Sequence, residues 1–486
     1  MLNQIKSRPA QLVRLLRDRD IDLSTAEGRS KDRYRRAALT SAMLITARVM
    51  NIITGLATIP ITLHYLGTDL FGIWMALTSF VVFLGFTDLG LGVGVQNALI
   101  RYHGDDDRKT PGRVVGMGML ALSAIASALC AIAFFVLPAL PLTDWVQFEN
   151  PASARWLLPT AQVMLICFAI GLPIGLVQRL CDAYQRGYWG YGLLMIGRTL
   201  GFVGVCIAAL REWSLPILAG LYLATPFAVM LLGTLGFVLP RMPWLIPRWP
   251  GLDRKLTQQL FGTGTLVLLS HIGRAMFNSM PAILIANQVS AAAVAPYAVT
   301  QKLIGIATLA IAPIVLSLWS PIGEAAVRGD VPWIKRALRR TLQYITLAYA
   351  PVAIALVLLG RPIIQLWTGK QEVVPHWSLL LAVLFFSSLT IYGQLTVTIL
   401  GALNRFALRS IATLGLATLA TAACILYREQ LGTAGIIWVF ALAGYLPLLV
   451  ILSLHARRLI LALPHTTTPP PTTPPSPPAV IPTANT

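Results

Sequence analysis

Arg48, Arg198, Arg274 and Lys302 each stand inside a long stretch of otherwise apolar sequence. A guanidinium or ammonium in such surroundings is suited to holding an anion. The anion such groups suit is one that carries a large polar group. Nearby residues extend the pattern. Asn51 lies one helical turn after Arg48, His271, Arg274 and Asn278 fall on one helix face, and Gln301 precedes Lys302. The acid in comparable surroundings is Asp88, which opens DLGLGVGVQN just ahead of the acidic cluster Gly104–Asp107. An aspartate ending an apolar run suggests a proton site, and alternating glycines suggest a phosphate loop. The loop reading fails, because the stretch matches neither GxGxxG nor a Walker pattern, no strand precedes it, and no Lys-Ser/Thr follows.

The chemistry depends on where the apolar stretches lie. The chain has 486 residues, 56% hydrophobic and only 12% charged, with a mean hydropathy of +0.70. Soluble domains carry about 25% charged residues. A helix needs about 20 apolar residues to cross the hydrocarbon. Twelve runs satisfy this, at 38–64, 71–98, 114–140, 156–180, 190–210, 214–240, 260–287, 291–318, 341–360, 378–402, 408–427 and 432–456. They are numbered here as spans 1 to 12. The expected fold class is all-α, a polytopic membrane bundle of 12 transmembrane helices in two pseudo-symmetric six-helix lobes. The expected division is a tail over 1–37, an N-lobe over 38–240 (spans 1–6), a linker over 241–259, a C-lobe over 260–458 (spans 7–12) and a Pro/Thr-rich disordered tail over 459–486. The first tail is read as a solvated segment rather than a surface helix. No cleavable leader is expected, since the first long apolar run begins near Ala38.

A net charge of +19 would suggest nucleic acid in a soluble protein. Its distribution argues otherwise. With the N-terminus in the cytoplasm, 29 of the 38 Lys and Arg fall on the cytoplasmic side, five on the outer side and four within spans. This asymmetry places both termini inside and accounts for most of the charge as topology. No nucleic-acid partner is expected. Cys130, Cys167, Cys181, Cys206 and Cys424 form no CxxC or Cys/His cluster, so no disulfide framework and no metal site are expected.

The two halves echo each other. Gly72 aligns with Ala295, Gly104-Asp105 with Gly329-Asp330, Trp145 with Trp367 and Arg186 with Arg405, at offsets of 219 to 225. An offset of six spans keeps both halves in the same orientation, a parallel repeat with the substrate site between them near the midplane. The same offset sets His271 opposite Arg48.

Each mid-span base costs about 2.5–3.5 kcal/mol on insertion. At 1.5 Å per residue, Arg48 lies roughly 15 Å into span 1, with Arg274 and Lys302 at similar depth and Arg198 slightly shallower. Ser41, Arg48, Asn51, Gly55, Thr58 and Thr62 form a stripe at helical period along span 1. These groups predict a positive cavity lined by spans 1, 2, 7 and 8. Arg48 or Arg198 has a second reading, as the structural partner of Asp88. One acid cannot neutralise four bases, so Arg274 and Lys302 are read as cavity residues. His271 stays open between a packing residue and a ligand or proton group. Asp88, about 25 Å along span 2, reads as a polar or capping group near the inner interface rather than a proton relay. Gly90 and Gly94 would allow close helix packing at a mobile inner end of that span.

The segment YLGTDLFGIWMALTSFVVFLGFTDLGLGVGVQNAL resembles the corresponding part of bacterial polysaccharide-biosynthesis flippases. These are the O-antigen and exopolysaccharide exporters of the multidrug/oligosaccharidyl-lipid/polysaccharide (MOP) superfamily. The matching elements are Leu66-Gly67, Phe71-Gly72-Ile73-Trp74 and Asp88-Leu89-Gly90-Leu91-Gly92, with VAPYAVTQKL in the second half. The resemblance implies two six-helix lobes, alternating access and a bacterial inner-membrane location. It also implies an undecaprenyl-pyrophosphate-linked oligosaccharide as substrate, met by cavity bases. By position these are Arg48, Arg274 and Lys302, with Asn51, His271, Asn278 and Gln301 beside them and Arg198 and Asp88 as secondary or structural charges. Membrane lipids, a polysaccharide polymerase and other export machinery are the candidate partners. No cofactor is expected. H+, Na+ and the membrane potential stay open as driving forces, and Asp88 and His271 are the groups on offer for ion coupling.

Two other functions were weighed. A MATE-like multidrug/cation antiporter needs acids in its cavity, and one deep acid stands against four bases. A membrane glycosyltransferase or polymerase needs paired carboxylates or a large outer domain, and the longest outer loop, 141–155, offers Asp144 and Glu149 alone. The chain is therefore not read as an enzyme.

Overall fold

The structure is a computed structural model that describes residues 26–104, 110–249, 265–309, 315, 318–403, 405 and 407–463. The expectations for the tails before residue 26 and after 463, for Asp105–Asp107 and for linker residues 250–264 lie outside the described residues.

The apolar run Ala38–Asp88 is 51 residues long. As one straight helix it would reach about 75 Å, more than twice the hydrocarbon thickness. It breaks at Gly67, where φ is 73° and ψ 178°. A side chain would make that backbone costly, and glycine adopts it freely. The chain reverses there. Beside the break, Tyr65 donates to the Trp213 carbonyl at 2.8 Å and Asp69 accepts from the Asn150 amide at 2.9 Å. The other ends of the two limbs also lie together, since Thr40 packs on Gly187 and Asp88 lies near Arg179 across Gly92. The end holding Thr40, Arg179 and Gly187 is called the basic end, and the Gly67 turn marks the far end.

Nine helical stretches among the described residues are long and apolar enough to cross a membrane. The first is two spans folded at Gly67. Two more, Thr265–Gln288 and Ala291–Leu309, interrupt their apolar sequence with His271, Arg274, Asn278 and Lys302. This gives the twelve spans of a multi-pass membrane protein, and no strand is present among the described residues. Large apolar side chains such as Leu210, Leu366 and Leu426 are at least 80% exposed, as a lipid-facing surface requires.

Several boundaries differ from expectation. Residues 26–37 are helical and continuous with span 1 rather than a solvated tail. The basic stretch before span 9 is helical as well, within Val331–Thr368, capped by Asp330, whose carboxylate accepts from the Trp333 amide at 3.0 Å. Span 2 breaks a second time at Leu89 and Gly90, both at positive φ, and Asp88 accepts from the Gly90 amide at 3.0 Å. The close packing expected of Gly90 is absent, since nothing lies within 4 Å of where its Cβ would be. Gly90 serves the bend instead.

One apolar core comprises buried residues from Phe277 to Ile460, and another those from Leu91 to Leu245. A third draws on both halves, joining Ile59, Leu63 and Trp74 to Ala291, Val299 and Ile364. The internal echo recurs in the backbone. The Arg186 amide donates to the Cys181 carbonyl at 2.8 Å, and the Arg405 amide to that of Leu400 at 2.9 Å, the same turn in each half. Trp145 and Trp367 each reach the opposite half. The Trp145 carbonyl accepts from Asn287 at 2.6 Å, and the Trp367 indole donates to the Leu56 carbonyl at 3.1 Å.

The halves are stitched at the far end. Gln147 donates to the Ala286 carbonyl at 3.0 Å and accepts from the Ala291 amide at 2.7 Å. Ser290 donates to Glu149 at 3.2 Å, and Lys370 to the Leu63 carbonyl at 2.9 Å. Gly72 lies so close to the Ala291 carbonyl that a Cβ there would overlap it.

Candidate functional site

Span 1 presents its polar stripe in two parts. Thr54, Thr58 and Thr62 are buried, and their hydroxyls donate back to carbonyls four residues earlier at 2.7–2.8 Å. Thr58 and Thr62 therefore spend their donors within the helix. Arg48 and Asn51, nearer the basic end, are exposed. Arg48 lies within electrostatic reach of Tyr191, as do Arg179 and Asp182.

Lys302 crosses from span 8 to span 1. A Cβ on Gly55 would come within 3.3 Å of its Cε and 3.4 Å of its Nζ. The charged side chain acting on Lys302 is a second cation, Arg198 of span 5, which itself faces Tyr222 of span 6. Tyr222 packs edge-on against Trp74, with ring centroids 5.6 Å apart. Gln301, beside Lys302, is half-buried.

Arg274 and Asn278 belong to a different place. With Ser270 they line a cavity of about 190 Å³ among spans 7, 10, 11 and 12, whose other polar lining includes Gln394, Arg409 and Tyr445. Among the described residues no carboxylate lines it. Arg409 lies within electrostatic reach of both Arg274 and Tyr445. His271, one turn from Arg274, feels Arg274, Asp88, Arg409 and Arg179 and so connects this cluster with the first half.

The structure thus groups the sequence-selected residues as Lys302 with Arg198, as Arg274 with Asn278 and neighbouring His271, and as Arg48 towards Tyr191. Arg409, Gln394 and Tyr445 were missed. Arg409, at the edge of span 11 and counted with the cytoplasmic bases, stands instead within the helix Ala407–Leu426 and lines the cavity. Its signal was Thr413 four residues on, whose hydroxyl donates to the Arg409 carbonyl at 2.6 Å.

Among the described residues, ion pairs join Arg36 to Asp32 at 2.5 Å and Arg328 to Glu324 at 2.6 Å, and no mid-span cation takes part in one. Two like charges sharing a low-dielectric cavity raise the energy of the empty site and favour entry of an anion. A volume of about 190 Å³ is small beside the roughly 300–1,000 Å³ of pockets that enclose a whole ligand. The cavity can receive a charged head but not a glycolipid.

Residues 66–375 match a family described as "Polysaccharide biosynthesis protein". The chain belongs to that family. The matched segment includes Phe71-Gly72-Ile73-Trp74, whose Gly72 meets span 8 and whose Trp74 is buried against Tyr222. No match is found among curated proteins. Among solved structures, the chain is similar to an inward-facing multidrug resistance MATE family transporter of the MOP superfamily. Identity is 16% over 86% of this chain and 96% of that one, with a TM-score of 0.68. An outward-facing MATE family transporter gives 17% identity, 89% and 96% coverage and a TM-score of 0.59. The lipid II flippase MurJ in an inward closed conformation gives 12% identity, 86% and 89% coverage and a TM-score of 0.62. This family member therefore has the fold of MOP superfamily transporters.

Proposed function

We propose that this protein is a flippase for undecaprenyl-pyrophosphate-linked oligosaccharide repeat units. It moves them from the inner to the outer leaflet of the bacterial cytoplasmic membrane during O-antigen or exopolysaccharide biosynthesis. The observation that carries the proposal is the pair Arg274 and Arg409 lining one cavity that, among the described residues, no carboxylate lines. In this reading the pyrophosphate enters from the basic end and is drawn to Arg274, Arg409 and Asn278. Lys302 and Arg198 supply a second positive patch where spans 1, 5 and 8 meet, and Arg48, Asn51, His271 and Gln301 complete the polar path.

Both termini lie in the cytoplasm on the Lys/Arg asymmetry, so the far-end seal faces outward. The halves, 38–240 and 260–458, rock to break that seal and open the site to the other side. The glycan travels between the halves while the polyprenyl chain stays in lipid. A potential negative inside favours outward movement of an anion by about 2.3 kcal/mol per charge per 100 mV. Asp88 is engaged by the Gly90 amide at a bend, which suits a capping role better than ion coupling. A cation antiporter would need acids where this cavity has arginines.

The test is to replace Arg274, Arg409 or Lys302 with alanine in cells that depend on the protein for surface polysaccharide. Lipid-linked repeats should accumulate in the inner leaflet while the protein remains inserted. Normal export by all three variants would remove the proposal, and drug efflux in place of glycolipid export would support the antiporter.

A further inference from the structure

A second concavity lies on the flank of the C-terminal half, between spans 9, 10 and 12, with a volume of about 1140 Å³. Its walls are aliphatic, including Leu338, Leu342, Leu395, Ile399, Leu449 and Ile460. The polar groups at its deeper end are largely paired with one another. Thr346 and Tyr392 hydroxyls lie 3.0 Å apart, and those of Thr396 and Ser453 lie 3.2 Å apart. Lys335, Arg339 and Arg457 line its mouth at the basic end, all exposed, and no acid among the described residues lines it.

Dimensions and charge select the occupant. From Lys335 to Leu347 the groove follows twelve residues of helix, about 18 Å. One leaflet of the hydrocarbon core is about 15 Å deep. The groove therefore spans one leaflet, with its cations at headgroup level and its aliphatic walls at chain level. A protein helix would leave three cations unmatched unless it brought acids. A polyprenyl chain of the transported lipid is far longer than the groove, and its pyrophosphate is drawn to Arg274 and Arg409, behind the wall formed by Thr396 and Leu449.

We infer that this groove is a binding site for an anionic phospholipid of the basic-end leaflet, with its phosphate held by Lys335, Arg339 and Arg457 and an acyl chain lying along Leu342 and Leu449. Its occupancy braces span 9 against span 12. The exclusion of a polyprenyl occupant rests on the proposed function, and the inference adds a lipid ligand on the outer flank of the same half.

The test uses the full chain in nanodiscs of phosphatidylcholine with a minor fraction of phosphatidylglycerol, followed by native mass spectrometry of retained lipid. Wild type should retain phosphatidylglycerol in preference to phosphatidylcholine. Each of Lys335→Gln, Arg339→Gln and Arg457→Gln should lower that preference by about fivefold, the effect of one basic residue at an anionic membrane surface. Arg336→Gln with Arg340→Gln is the control, because these residues line a separate recess on the same helix. It removes twice the charge of each single variant and should still leave the preference unchanged. Leu342→Trp narrows the groove without altering charge and should also abolish retention. Equal loss in the control, a preference that survives the triple substitution, or a groove filled by a polyprenyl lipid or another protein overturns the inference.

Discussion

The far end and the mid-span site are built on opposite terms. At the far end a set of hydrogen bonds crosses between the halves, although Asp69 Oδ1 and Gln288 Oε1 there are buried without a partner. Gln147 gives and takes a backbone bond, Lys370 and the Trp367 indole reach carbonyls of span 1, and Gly72 lets two backbones touch. Mid-span, Arg274 and Arg409 lie within reach of each other, and Lys302 lies beside Arg198, without an acid in an ion pair. On the proposed function, the bonded seam holds the far end closed and the cations without ion-pair acids receive the ligand, so substitutions in the two places should fail differently.

The largest effect is expected mid-span. Arg274→Ala or Arg409→Ala removes a charged hydrogen bond to the ligand, about 1.5–3 kcal/mol. Export should fall roughly 10- to 100-fold in a transport assay, with unfolding temperature unchanged or raised because one of two like charges lining the same cavity is removed. At the far end, Gly72→Ala forces span 2 away from the Ala291 carbonyl at about 1–3 kcal/mol. A cysteine placed at Ala295, fully buried in the native chain, should then react with an impermeant thiol reagent in a background lacking the five native cysteines.

The contrast can be tightened with smaller changes. Lys370→Met and Trp367→Phe each delete one bond across the seal, about 0.5–1.5 kcal/mol. Each should shift spin-label distances across the far end towards the open state while leaving glycolipid binding intact. Thr58→Val should do least, about 0.6 kcal/mol in unfolding and nothing in export, because its hydroxyl bonds only within its own helix.

Much of this was legible in the sequence, for identifiable reasons. Hydropathy located the twelve spans because the membrane requires each to satisfy its backbone internally, and that demand is local. Lys302 and Arg274 stood out because charge in an apolar run is costly wherever the helix packs. How such residues group could not be read from one span at a time. Arg198 comes within electrostatic reach of Lys302, and Arg274 of Arg409, through packing between helices far apart in the chain. Polarity misled at Thr58 and Thr62, where a threonine pattern on a helix face looks the same whether the hydroxyl faces a cavity or the preceding turn. The bend at Gly90 was mistaken for a packing contact because glycine serves both purposes.

The most direct measurement is a double-mutant cycle between protein and ligand charge. Binding of a pyrophosphate-linked polyprenyl oligosaccharide, and of the same lipid with the pyrophosphate replaced by a neutral linker, would be compared in wild type and in the Arg274→Ala/Arg409→Ala variant. If the arginines receive the pyrophosphate, the wild type discriminates between the two lipids, the variant does not, and the coupling exceeds about 1 kcal/mol. Equal discrimination by wild type and variant would contradict the account.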